Sequence, residues 1–421
     1  MTTKVGMFVW NYFTNDARVL RECTALSEAG YKVDLIALHQ AGLPKAEQLN
    51  TNFHVYRLSC LLPFSSHLSK FKKQKNLLVM LALIYIIACI YWPLLLLLVL
   101  TFCLFAKQIR TVVSRSVIFL RMVRAGCRQR YDIYHANDLN TLLQAVVCAK
   151  WLGRSKLIYD SHEVQTSRTG YNSPIYGIME RFLLRFVDIC IHENHTRAAY
   201  VEERYGFYPE VVHNYPFKQE KDTNLLLDLH HQLGIPNEEP ILLYQGGIQS
   251  GRGLDRLIEA APKIKLGTIV LIGDGRIKPE LEKMVAERGL EKRVKFIGKV
   301  ALDDLPSYTR EAYLGFQLLN NTCFNHYSAS SNKLFEYIMS GVPVIACDFP
   351  EISRVVKEYE VGITVNSHDP EAIAKAVNEL VNDPEKRKNV HQNCFRAREM
   401  FNWEQEKLIF LTIYEIIVTR S

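Results

Sequence analysis

The chain has 421 residues, 48% of them hydrophobic, and a formal net charge of +7. Its length allows two or three domains with sizeable cores, and its apolar fraction is that of an ordinary globular protein. The ten cysteines include no CxxC pair and no His/Cys cluster at metal-ligand spacing, so they read as reduced thiols and no metal site is expected.

The positive charge is local. Residues 48–131 contain no Asp or Glu but twelve Lys or Arg, from Arg57 and Lys70 to Arg128 and Arg130; elsewhere the chain is mildly acidic. No nucleic-acid partner is expected. The N-terminal "MTTKVGMFVW" is too short for a signal peptide and reads as a first buried strand, which places the body of the protein in the cytosol.

In chain order, an apolar run at Val5–Trp10, a helical pattern over about Asp16–Ala29 and a second run at Val33–Leu38 predict a βαβ opening. Further strands are predicted at Asp132–His135, Leu157–Tyr159, Ile189–Ile191 and near Glu210–His213. After a polar linker at Lys218–Asn224 the pattern restarts, with strands at Ile241–Gln245, Thr268–Ile272, Val294–Ile297, Leu314–Leu318, Val344–Ala346 and Gly362–Val365. Strands alternating with helices of this length imply α/β domains with parallel sheets covered on both faces. Two Rossmann-like domains are expected, at 1–217 and 218–400, with a last helix at 401–421 that packs back on the first domain and a ligand cleft between the halves.

Residues 76–106 carry no charge, and some 20 apolar residues suffice to cross a bilayer. A single crossing would separate strands of one parallel sheet. Pro93, near the middle, instead suggests a hairpin: two arms of about 14 residues reach only about 21 Å each, short of the hydrocarbon core. Basic flanks on both sides place both ends at the cytoplasmic face and suit anionic lipids. Thr111–Arg130 reads as a basic amphipathic helix, or equally as a core helix of the first sheet with its outer face on headgroups.

The chemistry is expected in the second half. "YQGGIQSGRGLDRLIEA" turns from a strand through Gly246, Gly247, Gly251 and Gly253 into a helix, and Arg252 lies among the glycines. Such a loop brings backbone N–H groups close to a phosphate and adds a cation. "LIGDG", with Gly273, ends the next strand. In "SASSNKLFEYIMSGVPVIA", Ser330, Ser331 and Asn332 precede Lys333 where a helix begins, and Glu336 follows one turn on, placed to accept ribose hydroxyls. The bland alternative makes the serines a cap and Glu336 a surface residue.

These segments, with "VKFIGKV…DDLPSYTREAYLGFQLL" and "FNWE", resemble glycosyltransferase family 4, and "NDARVLRECTALSEAGYKVDLI", "YDIYHANDLNTLL" and "KLIYDSHE" extend the resemblance into the first half. The resemblance implies the GT-B fold, a nucleotide-sugar donor held by the second domain, an acceptor held by the first, no metal or other cofactor, and retention of anomeric configuration. Carried across, Arg252 and Lys333 bind phosphate, Glu336 binds ribose, and His162 of "DSHE" faces the donor sugar with Glu163 and Asp160 beside it. Asp138, with His135 in "HAND", is a further cleft candidate or a helix cap. Two positions depart from the commonest family pattern: Ser328 stands where a first Glu is usual, and Gly247 where an Arg is usual. The first strand is not followed by Gly-x-Gly-x-x-Gly, which argues against a nicotinamide cofactor. Asp16 reads as a helix cap or a cleft residue.

The expected function is therefore glycosyl transfer to a lipid-linked saccharide, polyprenol or glycolipid, by a monotopic protein of the inner face of a bacterial membrane, in polysaccharide or glycan assembly. A sugar-nucleotide epimerase of the same fold and an inactive membrane scaffold are the alternatives.

Overall fold

A computed structural model describes all residues except 1, 15, 62–92, 168–172, 219–226, 302 and 420–421, and residues 93–108 by their backbone alone. The chain divides into two compact units, Met1–Asp160 with Leu183–Asp188, and Ser161–Phe182 with Ile189–Ser421.

In the first unit β1 (Lys4–Phe8), β2 (Lys32–His39), β3 (Ala46–Asn50), β4 (Phe53–Ser59), β5 (Ile133–Asn137) and β6 (Lys156–Ser161) lie in the order β3-β4-β2-β1-β5-β6. From β4 to β6 neighbours run parallel, with Val5 opposite Val33 and Ile133. Val5, Met7 and Phe8 are all fully buried, as befits a strand covered on both faces. The helix Ala17–Glu28 starts at Asp16, whose side chain accepts from Val19 N at 3.2 Å. Asp16 is therefore a cap, a bond whose loss typically costs about 1 kcal/mol. Strands β3 and β4 form a hairpin that the sequence pattern did not indicate, and β3 is antiparallel, an exception to the all-parallel expectation.

The helix Pro93–Gly126 has 34 residues and so is about 51 Å long. Pro93 opens it, the first-turn position where a missing N–H costs nothing. The second apolar arm and the basic stretch after it are thus one continuous helix. The first arm, 76–92, lies outside the described residues. Ile118 and Met122 are buried, and a Cβ on Gly126 would stand 2.6 Å from Phe8 Cζ, so the C-terminal turns form part of the first unit's core. Arg121 donates to the carbonyls of Ser59 and Leu61. Ile109, Val112, Val113 and Leu120 are exposed. Among the described residues no helix is long and apolar enough to cross a membrane, and the hairpin expected at 76–106 gains no support from them.

The second unit is built on six parallel strands, β9 (Ile241–Gln245), β10 (Thr268–Ile272), β11 (Val294–Ile297), β12 (Leu314–Gln317), β13 (Val344–Cys347) and β14 (Gly362–Val365), in the order β11-β10-β9-β12-β13-β14. Leu242, Leu271, Phe316 and Ile373 are among the residues of one core, and Leu243, Val270, Phe335 and Ile338 of the other. The strand order reverses between β9 and β12, and such a switch point opens a crevice at the carboxyl ends of the strands. In the same unit β7 (Ile189–His192) pairs parallel to β8 (Glu210–Val211). The last helix, Trp403–Thr419, buries Phe410, Tyr414 and Ile417. Glu406 on it accepts from His213 N at 2.7 Å.

Candidate donor-binding site

The loop after β9 is shaped by backbone contact. Gly246 has φ 122° and Gly273, which ends β10, has φ 143°. A Cβ on Gly273 would stand 2.0 Å from the Gly246 carbonyl oxygen. A side chain here would force the two loops apart. Tyr244 Oη donates to the Gly247 carbonyl at 2.8 Å, fixing the turn from beneath.

Lys333 enters this crevice from the first turn of the helix Asn332–Met339. Its Nζ lies 5.0 Å from the centre of the Tyr244 ring, a cation–π distance. A Cβ on Gly246 would sit 3.5 Å from the same Nζ, so the glycine leaves room for the ammonium. Burial, and next the nearby Arg252 guanidinium, lower the Lys333 pKa to about 7, with Glu336 pulling the other way. Two cations held together at a partly dry helix N-terminus make a site short of negative charge. Ser331 caps this helix position without a side-chain hydrogen bond, and Asn332 Oδ1 accepts from Asn214 at 3.1 Å. Ser330, half-buried, lies just before them.

Glu336 is positioned from below. Fully buried Gln245 donates to Glu336 Oε2 at 2.6 Å and accepts from Thr309 Oγ1 at 2.7 Å. Tyr337 Oη donates to the Leu243 carbonyl and accepts from Gln245 N. Glu336 is half-buried, with one of its carboxylate oxygens held by Gln245.

His162 and Glu163 belong to this unit too. Arg197, 4% exposed, donates to the His162 carbonyl at 2.6 Å, to the Asn325 carbonyl at 3.2 Å and to Ser328 Oγ at 3.2 Å, and pairs with Glu193 at 2.6 Å. Asn325 is bonded both ways to the Val164 backbone. The segments around 162 and 325 are thus one assembly, and Ser328, where the family resemblance leads one to look for Glu, is fully buried inside it. His326 had no motif to announce it. Burial lowers its pKa, the hydrogen bond with the Asn320 carbonyl raises it, and after these Arg252 and Lys333 lower it while Glu163 opposes them, so His326, Arg252, Lys333 and Glu163 share one electrostatic environment. Its Nδ1 lies 3.2 Å from the Asn320 carbonyl and 2.9 Å from Thr322 Oγ1. The carbonyl contact requires the proton on Nδ1 and leaves Nε2 as an acceptor.

Asp138 lies in the first unit, at φ 63° and ψ 163°, and its side chain makes no capping bond to the helix Leu139–Val146 that it precedes. This backbone region is nearly reserved for glycine and costs on the order of 1–3 kcal/mol elsewhere. Strain of that kind gathers at functional positions, and the cap reading of Asp138 fails. Asp160 and His135 are corrected in the other direction. Arg18 holds Asp160 through two nitrogens at 2.8–3.0 Å and meets Glu22 at 3.0 Å. His135 Nε2 lies 3.9 Å from Asp160 and 4.0 Å from Glu22, and all three are fully buried. Glu22, His135 and Asp160 are spaced closely enough to hold a metal ion, yet the Arg18 guanidinium already stands between the carboxylates, so the group is an internal ion-pair network.

Residues 228–396 match the family of glycosyl transferases group 1. Alpha-D-kanosaminyltransferase of Streptomyces kanamyceticus is 29% identical over 171 residues, which is 40% of this chain and 42% of that protein. The chain thus spans about half or less of the length of the first curated relatives that it matches. Sucrose-phosphate synthase from Thermosynechococcus elongatus superposes with a TM-score of 0.75 at 17% identity, over 100% of both chains. The Anabaena protein HepE, solved with UDP-glucose, gives 0.69 at 15% identity, over 98% of this chain and 99% of that one. The chain therefore has the α/β fold of these glycosyltransferase structures, and its residues 228–396 match the glycosyl transferases group 1 family.

Proposed function

We propose that the protein is a glycosyltransferase that binds a nucleotide sugar at the carboxyl ends of β9, β10 and β12. The observation that carries this reading is the convergence of Lys333, Arg252 and the Gly246–Gly273 backbone contact at a helix N-terminus, with Glu336 held one turn further on. Lys333, Arg252 and the N–H groups of Gly247 and the 332–334 turn face the diphosphate and stabilise its charge as it departs. Glu336 accepts ribose hydroxyls. Asp138, His162 and Glu163 act on the donor sugar and acceptor, with retained configuration and without a metal or other cofactor. HepE, similar in fold, was solved with UDP and with UDP-glucose, which makes a uridine diphosphate sugar the first donor to test.

The acceptor is a lipid-linked saccharide presented at the cytoplasmic face of a membrane. This rests on the acid-free stretch 48–131 around the apolar run, and on the exposed apolar side chains of the helix at 109–120, interleaved with Arg110 and Arg115. Basic and apolar residues together favour anionic bilayers.

The deciding experiment measures UDP binding and sugar transfer on two variants. Arg252→Ala removes a charge-assisted contact of about 1.5–3 kcal/mol and should weaken UDP binding at least about tenfold. His162→Ala should lower turnover about tenfold or more while leaving UDP affinity unchanged. UDP affinity unmoved in Arg252→Ala rejects the donor site. The departures at Ser328 and Gly247 favour, as a second reading, a scaffold without turnover. Donor consumption by the wild type that rises on adding lipid acceptor rejects that reading, and conversion of the donor sugar without any acceptor points to an epimerase.

A further inference from the structure

The first unit holds a second polar recess at the opposite pole of its sheet. A cavity of about 260 Å³ is lined by Lys4, Lys32, Asp34, Thr51, His54, Tyr56, Gln129 and Tyr131. Lys4 and Lys32 open β1 and β2 and stand opposite one another in register, so the cavity sits where parallel strands begin. The loops that end the strands, and with them Asp138, lie about one strand length away, some 16 Å for five residues.

Three features of this recess go beyond sheet architecture. First, two ammonium side chains at directly opposed positions repel each other. Asp132 accepts from the Lys4 backbone N at 2.7 Å, a bond to the main chain, and Asp34 is the acid among the residues that line the cavity with them. Secondly, Asp34 is only 8% exposed on the cavity floor. Its Oδ2 accepts from Tyr131 Oη at 2.8 Å and from the Gln129 amide, and its Oδ1 lies 3.7 Å from His54 Nδ1. Thirdly, His54 and Tyr56 present parallel rings, 6.5 Å apart at an interplanar angle of 16°, and Tyr56 is 36% exposed. All eight lining residues carry a polar group, and the volume falls below the roughly 300 Å³ at which pockets for drug-like ligands begin.

We propose that this cavity binds a small phosphorylated sugar. Lys4 and Lys32 hold the phosphate, which removes their mutual repulsion. Asp34 Oδ1 and Thr51 accept sugar hydroxyls, and the Tyr56 ring covers the apolar face of a pyranose. The site is separate from the donor crevice of the second unit and does not depend on the function proposed for it.

The test is calorimetric titration of the full-length protein with glucose 6-phosphate, glucose 1-phosphate and mannose 6-phosphate, with glucose and inorganic phosphate as separate arms. At least one hexose phosphate should bind with a Kd below about 1 mM, and glucose and phosphate alone about tenfold or more weaker. Lys32→Met and Tyr56→Ala, both at exposed positions and so compatible with folding, should each weaken binding about fivefold or more, with UDP affinity unchanged. Saturating UDP should not displace the sugar phosphate. No binding of any hexose phosphate at about 10 mM, equal binding of phosphate alone, displacement by UDP, or indifference to both substitutions would each overturn the proposal, the last two because binding would then lie elsewhere.

Discussion

The donor site proposed at Lys333 predicts that UDP binding depends on pH, with a sign and size that follow from the surroundings of this residue. In the free protein its pKa is lowered from 10.5 to about 7, chiefly by burial and then by Arg252. A diphosphate at the ammonium supplies the missing counter-charge and restores the protonated form, so binding above pH 7 takes up a proton. With a free-state pKa of about 7, the protonated fraction is about 0.9 at pH 6, 0.1 at pH 8 and 0.01 at pH 9. UDP affinity should therefore fall about tenfold between pH 6 and pH 8, and about tenfold again by pH 9. Calorimetry in buffers of different ionisation enthalpy should record about half a proton taken up per UDP at pH 7 and about 0.9 at pH 8. Lys333→Arg should bind with little pH dependence, because a guanidinium stays charged.

The same lowered pKa affects folding. Above pH 7 and up to the ordinary lysine range, the unfolded chain binds the extra proton, so this residue's contribution to stability rises with pH through that window. At pH 7 and below, the penalty is at its full size, at most about 5 kcal/mol for a shift from 10.5 to 7. Lys333→Met should consequently melt higher than the wild type at pH 7 and bind UDP at least about tenfold more weakly. UDP affinity that stays flat from pH 7 to pH 9, with no proton uptake, would refute the reasoning, because Lys333 would then be charged without a ligand.

Two further outcomes are expected. Asp138→Gly should relieve the backbone at φ 63° and stabilise the protein by roughly 0.5–2 kcal/mol in thermal unfolding, after the greater freedom of glycine in the unfolded chain is set against the strain. Its transfer rate should fall about tenfold or more if the carboxylate works in the reaction, and a stabilised variant of full activity would make Asp138 merely strained. Single cysteines at positions 74 and 108, in a background without reactive thiols, should both be labelled from the cytosolic side by an impermeant reagent; labelling from opposite sides would establish a crossing and overturn the monotopic reading.

Much of this protein is decided locally and could be read from its sequence. The strands at 241–245, 268–272, 294–297 and 362–365 occupy the residues expected of them, because each is a short, largely apolar run bounded by turn residues; the two inner ones are buried throughout and the two at the sheet edges only in part. The candidate donor site was legible for a related reason. Glycine, Arg252, Lys333 and Glu336 follow strand ends at helix starts, where chain order alone fixes direction and backbone donors. The hairpin of β3 and β4 was not legible: β3 is mostly exposed and has no apolar period, and it is held through β4, which pairs with β2. Pro93 was equally ambiguous, since a proline ends one helix or begins another by the same geometry. The remaining decisions belong to tertiary structure alone. Gln245 reaches Glu336 across 91 positions, and Arg197 reaches His162 and Asn325 across 35 and 128. Asp160 and His135 looked like cleft residues until Arg18, 142 positions from Asp160, proved to bind the carboxylate in the core. A charged side chain has no role until its partner is known, and no local pattern carries the partner, because burial and pairing are made by segments that meet only when the sheet has formed.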